Sequence, residues 1–381
     1  MDFDLPAEDD PRRQKVRQWL ADNPSPDGKT LADAGYVVPH WPEPWGLNAD
    51  PIEQIIIDDE LRKAGVSRPT NPIGIGWAGP TLVYAGTEEH HQKYLPRLLS
   101  GEDIWCQLFS EPGAGSDLAA LSTRAVLDGD EFVVNGQKIW TSLGHVAKYG
   151  ILIARTDPDQ PKHQGVSYFV CPMDLPGIEV RPIIEMTGAH MFNEVFFTDV
   201  RIPKENLVGP LHGGWALAKV TLGNERVSLS GEGALWGRGP TADDLVAYAK
   251  TLDVTDPVMR QRIASVYTEA EILRLIRLRT VSAVIKGKVP GPEASIRKAL
   301  ADEHGQHIMA VAKDLHGARG MLAAQDMWDY GYLFAPALTI GGGTSEVQRN
   351  IIGERVLGLP HDIDVEVGKT WAESRKAAVQ A

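Results

Sequence analysis

The chain has 381 residues, 43% apolar and 23% charged, a globular composition too long for one small core, so two or three packed modules are expected. A formal charge of −13 opposes general attraction to nucleic-acid phosphates, and the lack of an apolar run of about 18 residues argues against a membrane partner. Cys106 and Cys171, the only cysteines, form no CxxC pair, which sets aside a disulfide framework and the usual zinc and redox-dithiol sites.

The acidic start, Met1 to Asp10, has no basic segment leading into an apolar one, so a cytoplasmic location is expected. From Pro11 to about Gly101 the pattern is helical: Val16, Trp19 and Leu20 recur at helical spacing, as do Ile52, Ile55, Ile56 and Leu61. Loops rich in proline and glycine, Pro39–Gly46 and Arg68–Gly79, punctuate these helices. Between about Ile104 and Gly209 the period changes to short β-branched and aromatic runs (Glu131–Asn135, Tyr149–Ala154, Val166–Pro172, Glu194–Thr198) separated by turn dipeptides. Helical periodicity returns after Gly213, notably over Met259–Val284 and Ala294–Leu315, and the residues from about Lys369 read as a weakly anchored tail. The expected class is α+β: an N-terminal helical domain (1–103), a middle β-barrel-like domain (104–210) and a C-terminal helical bundle (211–381).

Gly74-Ile75-Gly76-Trp77-Ala78-Gly79 satisfies the dinucleotide pattern GxGxxG, but no strand precedes it, so it reads as a helix-connecting loop. His90-His91 and His304/His307 read as lacking the carboxylate or thiol company of a metal site, and no metal is expected. The informative stretch is Trp105 to Leu118, whose Glu111-Pro112-Gly113-Ala114-Gly115-Ser116-Asp117 turn can bring backbone N–H groups and hydroxyls close to an anionic or carbonyl-rich ligand. Alone it is a glycine-rich turn. About two dozen residues on comes Asn135-Gly136-Gln137-Lys138-Ile139-Trp140-Thr141-Ser142, a turn running into a flat indole beside two hydroxyls, which suits a planar ring such as a flavin.

Together these segments resemble the signatures of the FAD-dependent acyl-CoA dehydrogenase family, and the chain also resembles actinobacterial steroid and branched acyl-CoA dehydrogenase subunits. The resemblance runs from about Asp33 to Pro360 and includes Gly86-Thr87-Glu88-Glu89, Tyr94-Leu95-Pro96 and Val200-Arg201-Ile202-Pro203. It implies FAD as cofactor, with Gln107, Phe109 and Ser110 along the isoalloxazine, Trp140 over its face, and Ser142 near the reactive nitrogen. Ser116 would lie near the pyrophosphate and the acyl-CoA, and Gly115 is a further cofactor position. Gly317, Thr344 and Glu346 complete the cofactor set, and Gly341-Gly342-Gly343-Thr344 resembles the family's second cofactor segment.

In many relatives the residue matching Gly342 is the catalytic Glu. A subset of the family instead carries the base on the helix matched here by Gly213 to Val227, with Glu-Arg at Glu225-Arg226. The resemblance thus implies Glu225 as α-proton base, with Arg226, Gly342 and Ser116 on the substrate. Apolar burial should raise the Glu225 pKa towards that of the acidified thioester. Glycine at 342 also suggests room for a branched or ring-bearing acyl group, and Met191, Phe192 and Asn193 are candidates to line that pocket, as well as for strand-core packing.

Two family segments depart from pattern. Leu245 to Leu252 lacks Arg-x-x-Phe-Gly, and Asp314 to Gly320 keeps two of three glycines but loses the Gln of Gln-x-x-Gly-Gly-x-Gly. The expected partners are an acyl-CoA substrate, an electron-transfer flavoprotein as electron acceptor, and other chains in a homo- or heterotetramer or a dimer. The rival readings are a noncatalytic or half-site subunit of a heteromer, and an acyl-CoA oxidase or monooxygenase on the same fold.

Overall fold

The computed structural model describes residues 6–229, 233–285, 291–322 and 326–380. It begins with helices α1 (Pro11–Asp22), α2 (Gly28–Asp33), α3 (Pro51–Lys63), α4 (Gly79–Ala85) and α5 (Glu88–Ser100). Pro51 opens α3 and the Asp50 carboxylate accepts from Ile52 N and Glu53 N, both at 2.8 Å, satisfying donors that helix geometry leaves free. Buried Arg13 on α1 reaches Asp59 and Glu60 on α3, each at 2.6 Å, so an ion-paired seam joins the two helices. At the start of α5 the Thr87 N–H donates to His90 Nδ1, and the other ring nitrogen contacts Glu205 O at 2.6 Å, a capping role for His90.

Gly74–Ala78 is not the loop its composition suggests but a π-helical turn running directly into α4. A Cβ at Gly74 would lie 2.3 Å from Asn71 Nδ2, and one at Gly79 would lie 2.3 Å from Trp41 Cη2. Here the glycines admit close packing rather than a phosphate.

The strands are β1 (Trp105–Leu108), β2 (Arg124–Asp128), β3 (Glu131–Lys138), β4 (Tyr149–Arg155), β5 (Val166–Pro172), β6 (Ile178–Pro182), β7 (Asn193–Pro203) and β8 (Leu207–Val208). They form one sheet of order β6-β7-β3-β2-β4-β5-β8, with β1 parallel to β4. Phe132, Val134, Leu152, Phe169, Val195 and Ile202 meet in its core, the inward halves of alternating strands.

After the sheet come α6 (Gly214–Leu229), α7 (Ala242–Thr251), α8 (Pro257–Ile285), α9 (Ala294–His316), α10 (Met327–Phe334), α11 (Ser345–Ile351) and α12 (Trp371–Gln380). Two compact units result. Among the described residues one holds 6–184, 190–224 and 363–380; the other holds 185–189 and those of 225–362, so the boundary falls inside α6.

The segment from Lys369 is not weakly anchored. The Trp371 N–H donates to Gln160 O at 2.8 Å, its indole N–H to Ala120 O at 3.3 Å, and its ring lies 5.1 Å from the Arg155 guanidinium. One indole supplies what composition did not reveal.

Candidate functional site

The two signature segments of the sheet unit are bound to each other. Ile139 N donates to Ser110 O at 2.9 Å, and Lys138, fully buried at the end of β3, donates to Phe109 O at 2.9 Å and to Glu111 Oε1 at 2.8 Å. Glu111 also accepts from Ser122 N and Thr123 N at 2.6 and 2.9 Å. Burial pushes the Glu111 carboxyl up, but Lys138 and these N–H groups outweigh it and the net shift is downward. Burial likewise draws Lys138 down, against the pull of Glu111. With three donors on Glu111, the geometry is that of an ion pair. The Glu and Lys of the two motifs are therefore the frame that holds the turn.

On that frame Gly115 and Ser116 are exposed, Gln107, Ser110 and Ser142 are half-buried, and Gly113 and Gly115 face open space. The Phe109 ring is buried edge-on against Tyr168, with centroids 6.1 Å apart, so its backbone is what it can offer a ligand. Trp140 is 57% exposed, unusual for so large an apolar surface, and holds φ +60°. A left-handed Trp is strained, and such strain collects at functional sites. Phe192 packs edge-on to it with centroids 6.0 Å apart, and buried Asn193 donates to Thr141 O at 3.0 Å. The Thr141 hydroxyl is buried without a hydrogen-bond partner. An exposed indole, an unpaired hydroxyl and an open glycine turn on one sheet end fit an aromatic, phosphate-bearing cofactor.

In the helical unit, Glu225 on α6 is 7% exposed. A Cβ built on Gly342 would lie 3.8 Å from Glu225 Oε1, so the carboxylate faces that glycine. Gly342 and Gly343 have φ of +67° and +88°, a left-handed conformation that strains any other side chain. The same Cβ would lie 2.7 Å from Leu229 Cδ1, so the room expected beside Gly342 is partly taken by the mobile end of the Leu229 side chain. Arg226 is half-buried; burial and the nearby Arg355 draw its pKa down while Glu225 draws it up.

The Gly341–Gly343 turn is held from behind by a residue the sequence did not single out. Buried Lys298 on α9 donates to Leu338 O, Gly341 O and Gly343 O at 3.3, 2.6 and 2.8 Å, with Asp302 Oδ2 at 2.6 Å from the same nitrogen. Burial pushes the Asp302 carboxyl up to about 7, with Lys298 pulling the other way. Gln348 Nε2 donates to Gly342 O and Gly343 O at 3.2 and 3.3 Å. Thr344 caps α11 by accepting from Val347 N at 3.2 Å, while Glu346 is exposed. Gly317 has φ +56° and faces open space.

The two departures from pattern are packed within this unit. Tyr248 of α7 stacks on Trp328 at 5.8 Å and meets His316 edge-on at 5.4 Å, and Asp314 pairs with Arg262 at 2.6 Å.

The histidines need one correction: His304 and His307 do have carboxylate company, because α8 brings Glu269 to 3.1 and 2.8 Å from their Nδ1 atoms, beside a cavity of about 340 Å³. Helix pairing, invisible in local sequence, supplies it. Among the described residues, His316, Asp326 and Asp329 could together offer ligand atoms to a metal, all within 4.8 Å of one another. Lys313, 2.9 Å from Asp329, and Arg319, 3.6 Å from Asp326, already supply cations to both carboxylates.

The family models for the N-terminal, middle and C-terminal domains of acyl-CoA dehydrogenases match residues 9–102, 106–200 and 212–357. Acyl-CoA dehydrogenase FadE34 of Mycobacterium tuberculosis is 41% identical over 330 residues, covering 87% of this chain but 45% of that protein, so the chain spans less than half of that relative. Acyl-CoA dehydrogenase IpdE1 of the same organism is 37% identical over 379 residues, covering 92% of this chain and 97% of that one. A solved structure described as "Tcur3481-Tcur3483 steroid ACAD" superposes with a TM-score of 0.78 at 32% identity, covering 95% of this chain and 100% of that one.

Proposed function

Because the chain belongs to the acyl-CoA dehydrogenase family of oxidoreductases, we propose that it removes one hydrogen from each of the α and β carbons of an acyl-CoA thioester, with Glu225 as the base. The observation that carries the reading is the buried Glu225 carboxylate facing Gly342, a residue with no acid of its own. An α-proton beside a thioester is weakly acidic, so the reaction needs a base in a dry setting and a donor for the carbonyl oxygen. Glu225 takes that proton. The carbon–hydrogen bond at the β carbon breaks with both electrons, and the product is the trans-2-enoyl thioester.

FAD would supply the hydride acceptor when bound; in the sheet unit Gln107, the Phe109 backbone, Ser110, Gly115, Ser116, Trp140 and Ser142 would hold it, and Gly317, Thr344 and Glu346 are the positions in the other unit that match the family's cofactor contacts. Ser116 and Arg226 serve the acyl-CoA, Arg226 as a cation for its anionic groups. The electron acceptor that fits this reading is an electron-transfer flavoprotein.

The acyl group is branched or ring-bearing. The similar structure described as a steroid enzyme supports this, and Leu229 is the side chain that must yield to such a group beside Gly342. The chain works in an oligomer. Val258, Tyr267, Ile272 and Leu275 leave α8 with apolar surface that is 67, 44, 46 and 39% exposed, and covering it by another chain is favourable. The internal packing of Tyr248 and Asp314, where the family's interface motifs are altered, favours a heteromer in which a different homologous chain completes the cofactor contacts.

The test is anaerobic mixing of the purified protein with straight-chain, branched and steroid-derived acyl-CoA thioesters while following bleaching of the visible flavin band. One class bleaches the wild type and not Glu225→Gln, which folds and keeps its flavin. Equal bleaching by the variant sinks Glu225 as base; stoichiometric peroxide in air favours the oxidase reading.

A further inference from the structure

The Gly341–Gly343 turn presents an arrangement of backbone that no local motif requires. Gly341 O is taken by Lys298, Gly342 O by Gln348, and Gly343 O by both. The peptides here are trans, the one cis bond among the described residues being Glu43–Pro44. In a trans peptide the N–H points opposite to its own C=O. The N–H groups of Gly342, Gly343 and Thr344 are therefore turned away from Lys298 and Gln348. Among the described residues none of the three donates to a backbone acceptor. Successive N–H groups left over in a turn with left-handed residues form a concavity for a negatively charged oxygen.

Lys298 is costly to keep. It is fully buried, and Asp302, one helical turn on, is its close carboxyl neighbour. A buried ammonium is poor evidence of stability for its own sake, because an apolar side chain of similar volume often serves as well. Its position is informative: its Cε lies 3.3 Å from the point a Gly342 Cβ would occupy, and Glu225 Oε1 lies 3.8 Å from that same point. Base, turn and cation border one position.

We propose that Lys298, assisted by Gln348, is a positioning residue for the reaction: by holding the carbonyls of the Gly341–Gly343 turn it aims the Gly342, Gly343 and Thr344 N–H groups at the thioester oxygen as enolate charge develops. This rests on the dehydrogenation reading above. Lys298 does not touch substrate; it acts through the turn, and its charge adds a favourable field for the oxyanion.

The test separates proton abstraction from hydride transfer. In a β-thia acyl-CoA, sulfur replaces the β carbon and there is no β-hydrogen to give, but the α-protons remain exchangeable. The FAD-loaded protein, in the assembly in which it purifies, is incubated with this analogue in D2O; α-exchange is followed by NMR and the stretch of the bound, 13C-labelled thioester carbonyl by infrared. Lys298→Met slows exchange by about tenfold or more and moves the carbonyl band back towards its free frequency. Analogue affinity changes by less than about threefold, since the interaction strengthens with charge. A smaller loss of exchange, or an unmoved band, overturns the proposal. If Lys298→Met does not fold, Lys298→Gln, which keeps two donors without charge, is judged by the same criteria. A flavin-loaded wild type that exchanges no α-proton, or one whose exchange survives in Glu225→Gln, overturns the underlying reading instead.

Discussion

Replacing Lys138 with Met tests whether the two signature segments are held by one buried ion pair. The side chains of Lys138 and Glu111 are 0% and 6% exposed, and the lysine also serves Phe109 O at 2.9 Å. The substitution keeps most of the volume but leaves Glu111 with two N–H donors and no countercharge. Breaking one side of a buried pair costs about 3–5 kcal/mol, a large part of the roughly 5–15 kcal/mol that holds a folded domain together. Urea unfolding at neutral pH reads this loss, and the flavin-to-protein ratio of the purified variant reads its consequence: the Glu111–Asp117 turn loses its frame and flavin content falls. Glu111→Gln combined with Lys138→Met removes the stranded charge and recovers at least about 1 kcal/mol relative to Lys138→Met. A single-variant loss under about 1 kcal/mol with full flavin content refutes the reasoning.

Asp302, pushed up to about 7 by burial, makes stability depend on pH. Because the folded state prefers the neutral acid, its contribution is fully present below the unfolded value near 4 and is lost as pH rises through 7, by at most about 4 kcal/mol. Asp302→Asn should therefore flatten the fall in unfolding free energy between pH 4 and pH 8; parallel curves for variant and wild type would contradict it. Trp371→Ala removes the indole from Arg155 and Ala120. The expected outcome is a loss of about 1–2 kcal/mol, with trypsin cleaving at Lys369 and Arg375 much faster than in the wild type; unchanged cleavage would show that the C-terminal helix is held by other means.

What the sequence disclosed follows a physical divide. β3 and β7 were legible because their apolar residues alternate against a core, and β4 and β5 because they are continuous runs buried on both faces, whereas β1, β2, β6 and β8 are two to five residues long and carry too short a pattern. The turn-forming glycines and the exposed indole of Trp140 were readable from residue type alone. Lys298 was not: an Arg-Lys step in a helical run looks like a solvated face, and only tertiary packing reveals that this lysine is buried against three carbonyls. The same holds for Glu269, whose partnership with His304 and His307 depends on α8 meeting α9. Leu229 was missed because a leucine near the end of a helix gives no sign that it fills the place of an absent side chain.

The 2.7 Å separation between Leu229 and the point a Gly342 Cβ would reach has a historical consequence. The family resemblance offers two addresses for the base, and a lineage moving from one to the other passes through intermediates. In this chain a carboxylate restored at 342 by itself meets a left-handed backbone and must displace the end of Leu229, so the first step back carries strain. Trimming Leu229 first, with nothing gained by it, is the permissive step. The order of substitutions is thereby biased: with Glu225 as base, an acid returning at 342 meets less strain after Leu229 has been trimmed than before.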